Sequence, residues 1–165
     1  MSRGTAVALL GRMDQQLLEQ AISRDDKQPA NRSGFRDVVA VINTSPDTVA
    51  LLADLLERAG FLVVTTYTHH IRDGSIDLEA FLRTHRPRVI VYDIAPPYER
   101  NWHLLQHLRQ TTLAGYQFVL TTTNPARVEP FVKGDEQVYE VVDKDGSLDE
   151  ILRATREAAR SRSVR

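Results

Sequence analysis

Cysteine is absent from this 165-residue chain, which excludes disulfides, thiolate metal sites and a thiol nucleophile. A dominant charge is absent too. The 21 Lys and Arg stand against 22 Asp and Glu, for a net charge of -1, so nothing global draws the chain to nucleic acid or an anionic membrane. Long hydrophobic runs are missing: "AVALL" at 6–10 is too short for a spanning helix or a signal peptide. A Gly-rich phosphate loop is also missing, because "NTSPD" follows the first strand pattern. These absences read as a soluble, cytoplasmic protein with neither a nucleic-acid nor a membrane partner.

What is present is 42% hydrophobic and 26% charged, the profile of a globular chain able to build one real core. Residues 1–36 read as a leader and linker. Leu10, Met13, Leu17 and Ala21 share one face of a predicted helix over 5–23, with Gly11 as its weak point. The polar stretch "RDDKQPANRSGFR" then has linker composition. A domain is expected over 37–160, and 161–165 is a basic tail.

Inside that domain two periods alternate. "VVAVI" is a continuous β-branched run, the mark of a strand buried on both faces. "SPDTVALLADLLERAG" follows as a helix, with Ser45 as N-cap, Pro46 in the first turn, a Val49, Leu52, Leu56 stripe and Gly60 as the stop. Strands at "FLVVTTYT", "RVIVYDI", "QFVLTTT" and "VYEVV" alternate with helices at "DLEAFLRTHRP", "NWHLLQHLRQ" and "NPARVEPFV", the last interrupted at Pro130. Ser147 and Glu150 form a capping box for the final helix, which continues through "ILRATREAAR". Five strands and five helices in alternation predict an α/β, doubly wound, five-stranded parallel sheet with helices on both faces. In such sheets the functional edge is the carboxyl end of the strands, which collects Asn43, Thr44, Asp93, Thr122 and Lys144. Asp93 is expected there at the water boundary, with its carboxylate charged.

The order and spacing of these residues resemble the receiver (CheY-like) domain of two-component response regulators. Asp93 is followed by Pro97 and Asn101, Thr122 ends the fourth strand, and Lys144 follows the fifth. The resemblance implies a flavodoxin-like (βα)5 fold with strand order 2-1-3-4-5. It implies a non-enzymatic signalling switch of a phosphorelay, a stand-alone response regulator with Asp93 as phosphoacceptor. Thr122 and Lys144 would hold the phosphoryl oxygens, with Thr121 or Thr123 in the hydroxyl's place if the register shifts by one. Asn101 would take the place of the family's helix-opening Gly, both tolerating positive φ. A histidine kinase or downstream signalling target, or a second copy in a homodimer, would be the partner.

The sequence also departs from that pattern. The family's acidic pair aligns with Asn43 and Thr44, Asp145 stands where a Pro follows the lysine, and Val141 replaces an aromatic residue, Tyr139 lying two positions further away. A Mg²⁺ site would rest on Asp93, the Ala95 carbonyl, Asn43 and Thr44, with one charged ligand where a hard cation wants several. Two readings of Asp93 follow, a phosphoacceptor or a permanent ion pair with Lys144. In the second, the domain is a pseudo-receiver, a phosphorylation-independent interaction or dimerisation module. A flavodoxin-like cofactor binder is a third reading, since a hydroxyl-rich helix N-terminus can hold an anion. His69 and His70 read as solvated loop residues with diverging side chains. His103 and His107 read as exposed residues four apart on a helix, and Trp102 as a core anchor.

Overall fold

The computed structural model describes residues 36–161; the expected leader helix and the tail beyond Ser161 lie outside the described residues. Five strands, β1 (Val38–Asn43), β2 (Leu62–Tyr67), β3 (Val89–Asp93), β4 (Gln117–Thr122) and β5 (Val138–Asp143), form one sheet. All neighbours are parallel, in the order β2-β1-β3-β4-β5. The described helices are α1 (Pro46–Arg58), α2 (Thr68–Arg72), α3 (Leu78–His85), α4 (Tyr98–Gln110), α5 (Pro125–Val132) and α6 (Leu148–Ser161). None of them is long and apolar enough to cross a membrane.

Side-chain parity along the strands builds two cores. Val39, Val41, Val89, Val91 and Val119 face α1 and α6, which contribute Val49, Leu52, Leu56, Ile151, Ala154 and Ala158. Ala40, Ile42, Ile90, Tyr92, Phe118 and Leu120 face α3, α4 and α5, which contribute Leu82, Trp102, Leu105 and Val128. The central strands are thus buried on both faces, as their unbroken apolar runs require.

Local signals set the helix limits. Thr48 N–H donates to the Ser45 hydroxyl at 3.3 Å, with Pro46 opening α1. At the other end Gly60 has φ +96°. Its N–H reaches Glu57 O and the Phe61 N–H reaches Leu56 O, the paired bonds of a Schellman stop. A Cβ at Gly60 would meet nothing within 4 Å, so only backbone conformation opposes a side chain there. Gly60→Ala is expected to lower stability by about 1 kcal/mol, read as a reduced urea midpoint at unchanged slope.

Several local expectations are corrected. The "THHIR" segment is the five-residue helix α2, not a loop. His69 and His70 do not diverge, their ring centroids lying 4.3 Å apart with Tyr67 against both. Pro130 sits inside α5 without ending it, because in so short a helix a prolyl nitrogen removes few internal bonds. Ser147 caps α6 through the Asp149 N–H at 3.2 Å, one residue earlier than a capping box would have it. Trp102 is buried and His103 and His107 are exposed, as read.

Candidate functional site

β3 and β4 set the site by register. Asp93 is the last residue of β3 and pairs with Thr121, and the ladder continues one step through Ile94 N–H to Thr121 O at 2.8 Å. Beyond β5, Lys144 N–H donates to Thr122 O at 2.9 Å, which fixes the start of the lysine side chain. Lys144 Nζ lies 3.4 Å from each Asp93 carboxylate oxygen. Asp93 and Lys144, 51 residues apart in the chain, therefore meet as the sequence reading expects.

Thr122 does not join them. Its hydroxyl donates to Ile94 O at 2.9 Å and accepts from Asn124 N–H at 3.3 Å. The hydroxyl that reaches Asp93 is that of Thr121, at 3.3 Å. The reason is the two-residue period of a strand: Thr121 shares the Asp93 face, and Thr122 projects to the opposite one. The parity of Val119 and Leu120 in the two cores carries this signal, and a phase assigned from the core would have found it.

The expected exposure of Asp93 is also corrected. Its side chain is 0% exposed, with the Lys144 ammonium and the Thr121 hydroxyl against it. Burial pushes the carboxyl above the ordinary carboxylate range. The Lys144 ammonium and the hydrogen bonds from Lys144, Thr121 and Thr44 pull it down without cancelling that rise. The strand carries Asp93 to the sheet edge, and the surrounding loops then close over it.

Neighbouring donors are engaged elsewhere. Asn43 is buried, and its Oδ1 accepts from Thr44 N–H at 2.7 Å and Ser45 N–H at 3.0 Å. The Ala95 carbonyl accepts from Asn101 Nδ2 at 2.7 Å, and Asn101 Oδ1 accepts from Arg72 at 3.1 Å. Asn101 lies within α4, and the one non-glycine positive φ among the described residues belongs to Arg86. Asn101 thus makes no use of the tolerance for positive φ that Asn shares with Gly; its amide ties the β3–α4 loop to α2. That loop also contains a cis Pro96–Pro97 peptide bond. Tyr98 and Thr123 hydroxyls, 2.9 Å apart, join it to the loop after β4.

A Mg²⁺ ion does not fit this donor set. One buried carboxylate is already paired with an ammonium, while Asn43 Oδ1 and Ala95 O hold amide protons. Among the described residues no three His, Asp or Glu side chains converge as a metal site. A hard dication needs several oxygens with net negative charge. In the "NTSPD" loop, Asn43 Oδ1 and the Ser45 hydroxyl take the amides of Thr44, Ser45 and Thr48.

This architecture is the receiver fold of response regulators. Similar solved structures include a response regulator from Thermotoga maritima, at 16% identity and TM-score 0.59, covering 76% of this chain and 99% of that one. The chemotaxis response regulator CheY4 of Vibrio cholerae is similar at 17% identity and TM-score 0.56, covering 75% and 99%. The BeF3-activated N-terminal receiver domain of RstA from Klebsiella pneumoniae matches at 17% identity and TM-score 0.58, again covering 75% and 99%. No protein-family model and no curated protein matches the sequence. The five-stranded parallel sheet and its order agree with the expected flavodoxin-like topology.

Proposed function

We propose that this chain is an atypical receiver-type signalling module that works by binding protein partners, with Asp93 held as a buried ion pair with Lys144. The observation that carries this reading is the fully covered Asp93 carboxylate with Lys144 Nζ at 3.4 Å, and the family's acidic pair is replaced by Asn43 and Thr44. Phosphoryl transfer needs an accessible nucleophile and a concentration of positive charge around the incoming oxygens. Here the Lys144 ammonium is already matched by the Asp93 carboxylate. The pair does at rest what a bound cation and phosphoryl group would otherwise do, namely neutralise the site and join β3 to the start of the β5–α6 loop. The partner on this reading is a signalling protein, a kinase or a downstream target, in the cytoplasm.

The phosphoacceptor reading is favoured by one feature: a lysine and a threonine hydroxyl both contact the same strand-end aspartate. Acetyl phosphate or beryllofluoride with millimolar Mg²⁺, followed by intact mass and amide NMR, separates the two. We expect an unchanged mass and no shift of the Asp93, Thr121 or Lys144 amides. A covalent adduct lost in Asp93→Asn would replace the fixed pair with the switch.

A further inference from the structure

The geometry points to an anion-binding site at the opposite pole of the sheet from Asp93, in which Arg36 and Arg86 hold a phosphate-type oxyanion. A cleft of about 390 Å³ opens at the amino-terminal edge of the sheet, lined by Arg36, Asp37, Val38, Arg86, Pro87 and Arg88. Three of these six residues carry guanidinium groups, and one carries a carboxylate.

Their charges are not all free. Arg88 donates to the Ala159 carbonyl near the end of α6 and lies 3.4 Å from Asp37. Asp37 is thereby neutralised, and Arg88 serves the α6 carboxyl end as a cation should. The guanidinium groups of Arg36 and Arg86 have no hydrogen-bond or ion-pair partner among the described residues, and both residues are exposed. The cleft therefore holds two uncommitted guanidiniums beside a matched pair. Guanidiniums suit planar, bidentate capture of phosphate and similar oxyanions.

The backbone supplies an independent argument. Arg86 ends α3 in the left-handed region, at φ 47° and ψ 55°. Gly or Asn fills such a cap at least cost, and a residue before proline is driven further toward extended conformations. Arg86 precedes Pro87 and so carries both penalties. Pro87 itself is buried and anchors the turn. A strained, long, charged residue where glycine would relax the chain is the kind of local conflict that marks functional positions. Arg86 thus lines the cleft from the turn between α3 and β3, and Arg36 lines the same cleft.

The test uses the full chain and pyrophosphate as probe, by titration calorimetry or 31P NMR at low salt. Wild type is expected to bind, with affinity falling as salt rises. Arg86→Gly is expected to weaken binding about 10-fold or more, yet to raise the melting temperature by about 2–4 °C as the strained backbone relaxes. Arg36→Ala is expected to weaken binding without that rise. A phosphoserine peptide that outcompetes free phosphate would assign the anion to a protein partner, and equal competition would assign it to a free anion; both uphold the site. No pyrophosphate binding by wild type, or binding unchanged in both variants, overturns it.

Discussion

Lys144→Met is expected to destabilise the protein by about 3–5 kcal/mol at neutral pH, because it leaves the Asp93 carboxylate buried without its counter-ion. Asp93→Asn is expected to be neutral or mildly stabilising, since the amide needs no cation and Lys144, 19% exposed, can turn to water. Linkage gives the pH dependence. Burial raises the folded carboxyl above its ordinary value of 3.8, so the folded state binds that proton more tightly than the unfolded chain does. The contribution of this group is fully present below 3.8 and is lost as pH rises through the raised value. In Lys144→Met the pull toward ionisation is gone, so the loss deepens toward neutrality and shrinks in acid. Urea unfolding over a pH series checks both signs. Equal stability of Lys144→Met and wild type at pH 7 would mean that the carboxyl is already protonated there, and the ion pair would not exist.

Asp135→Ala is the second large effect, at about 3 kcal/mol. Arg109, only 10% exposed, holds the two Asp135 oxygens at 2.5 and 2.6 Å. It also donates to Gln137 Oε1 at 2.7 and 3.0 Å. Its guanidinium lies 5.9 Å from the Trp102 ring centre and 5.6 Å from that of Phe118, so losing Asp135 leaves a cation facing aromatic core. Burial pushes the Asp135 carboxyl up, but the Arg109 bonds and charge and the Gln137 and Val138 amides outweigh it, leaving it below 3.8. This contribution is present above 3.8 and lost as pH falls through the lowered value, the reverse of Asp93. Arg109→Lys, which keeps charge but not the two-pronged geometry, is expected to recover only part of the loss. Thermal melts at pH 7 and pH 3 measure it: the gap between Asp135→Ala and wild type should narrow in acid. A gap that stays constant, or a variant as stable as wild type at pH 7, would show that this pair contributes little.

The two pairs differ in how legible they were. Asp93 and Lys144 each end or follow a strand, and a parallel sheet of known order brings such positions to one edge. Arg109 and Asp135 lie at a helix end and in the turn before β5, where no periodicity marks them. The same limit explains α2: a five-residue helix is too short for an apolar stripe to declare it, and Thr68, which opens it, is also a good strand former. Asn101 reads from its spacing after Asp93 as the residue that opens the next helix. In the fold it is a helical side chain bridging Ala95 and Arg72, a role defined by residues from two other segments.

The sequence by itself determined the alternation of strand and helix, the caps at Ser45 and Gly60, and the meeting of positions 93 and 144. Those follow from local period, local backbone preference and the short connections of a parallel sheet. Only the tertiary structure decided that Thr121 rather than Thr122 touches the aspartate, and that the carboxylate is covered rather than wet. It also showed Asn43 turned onto its own loop instead of toward a cation. Strand phase and loop closure depend on which neighbours pack from the far side of the sheet, and no short window of residues contains them.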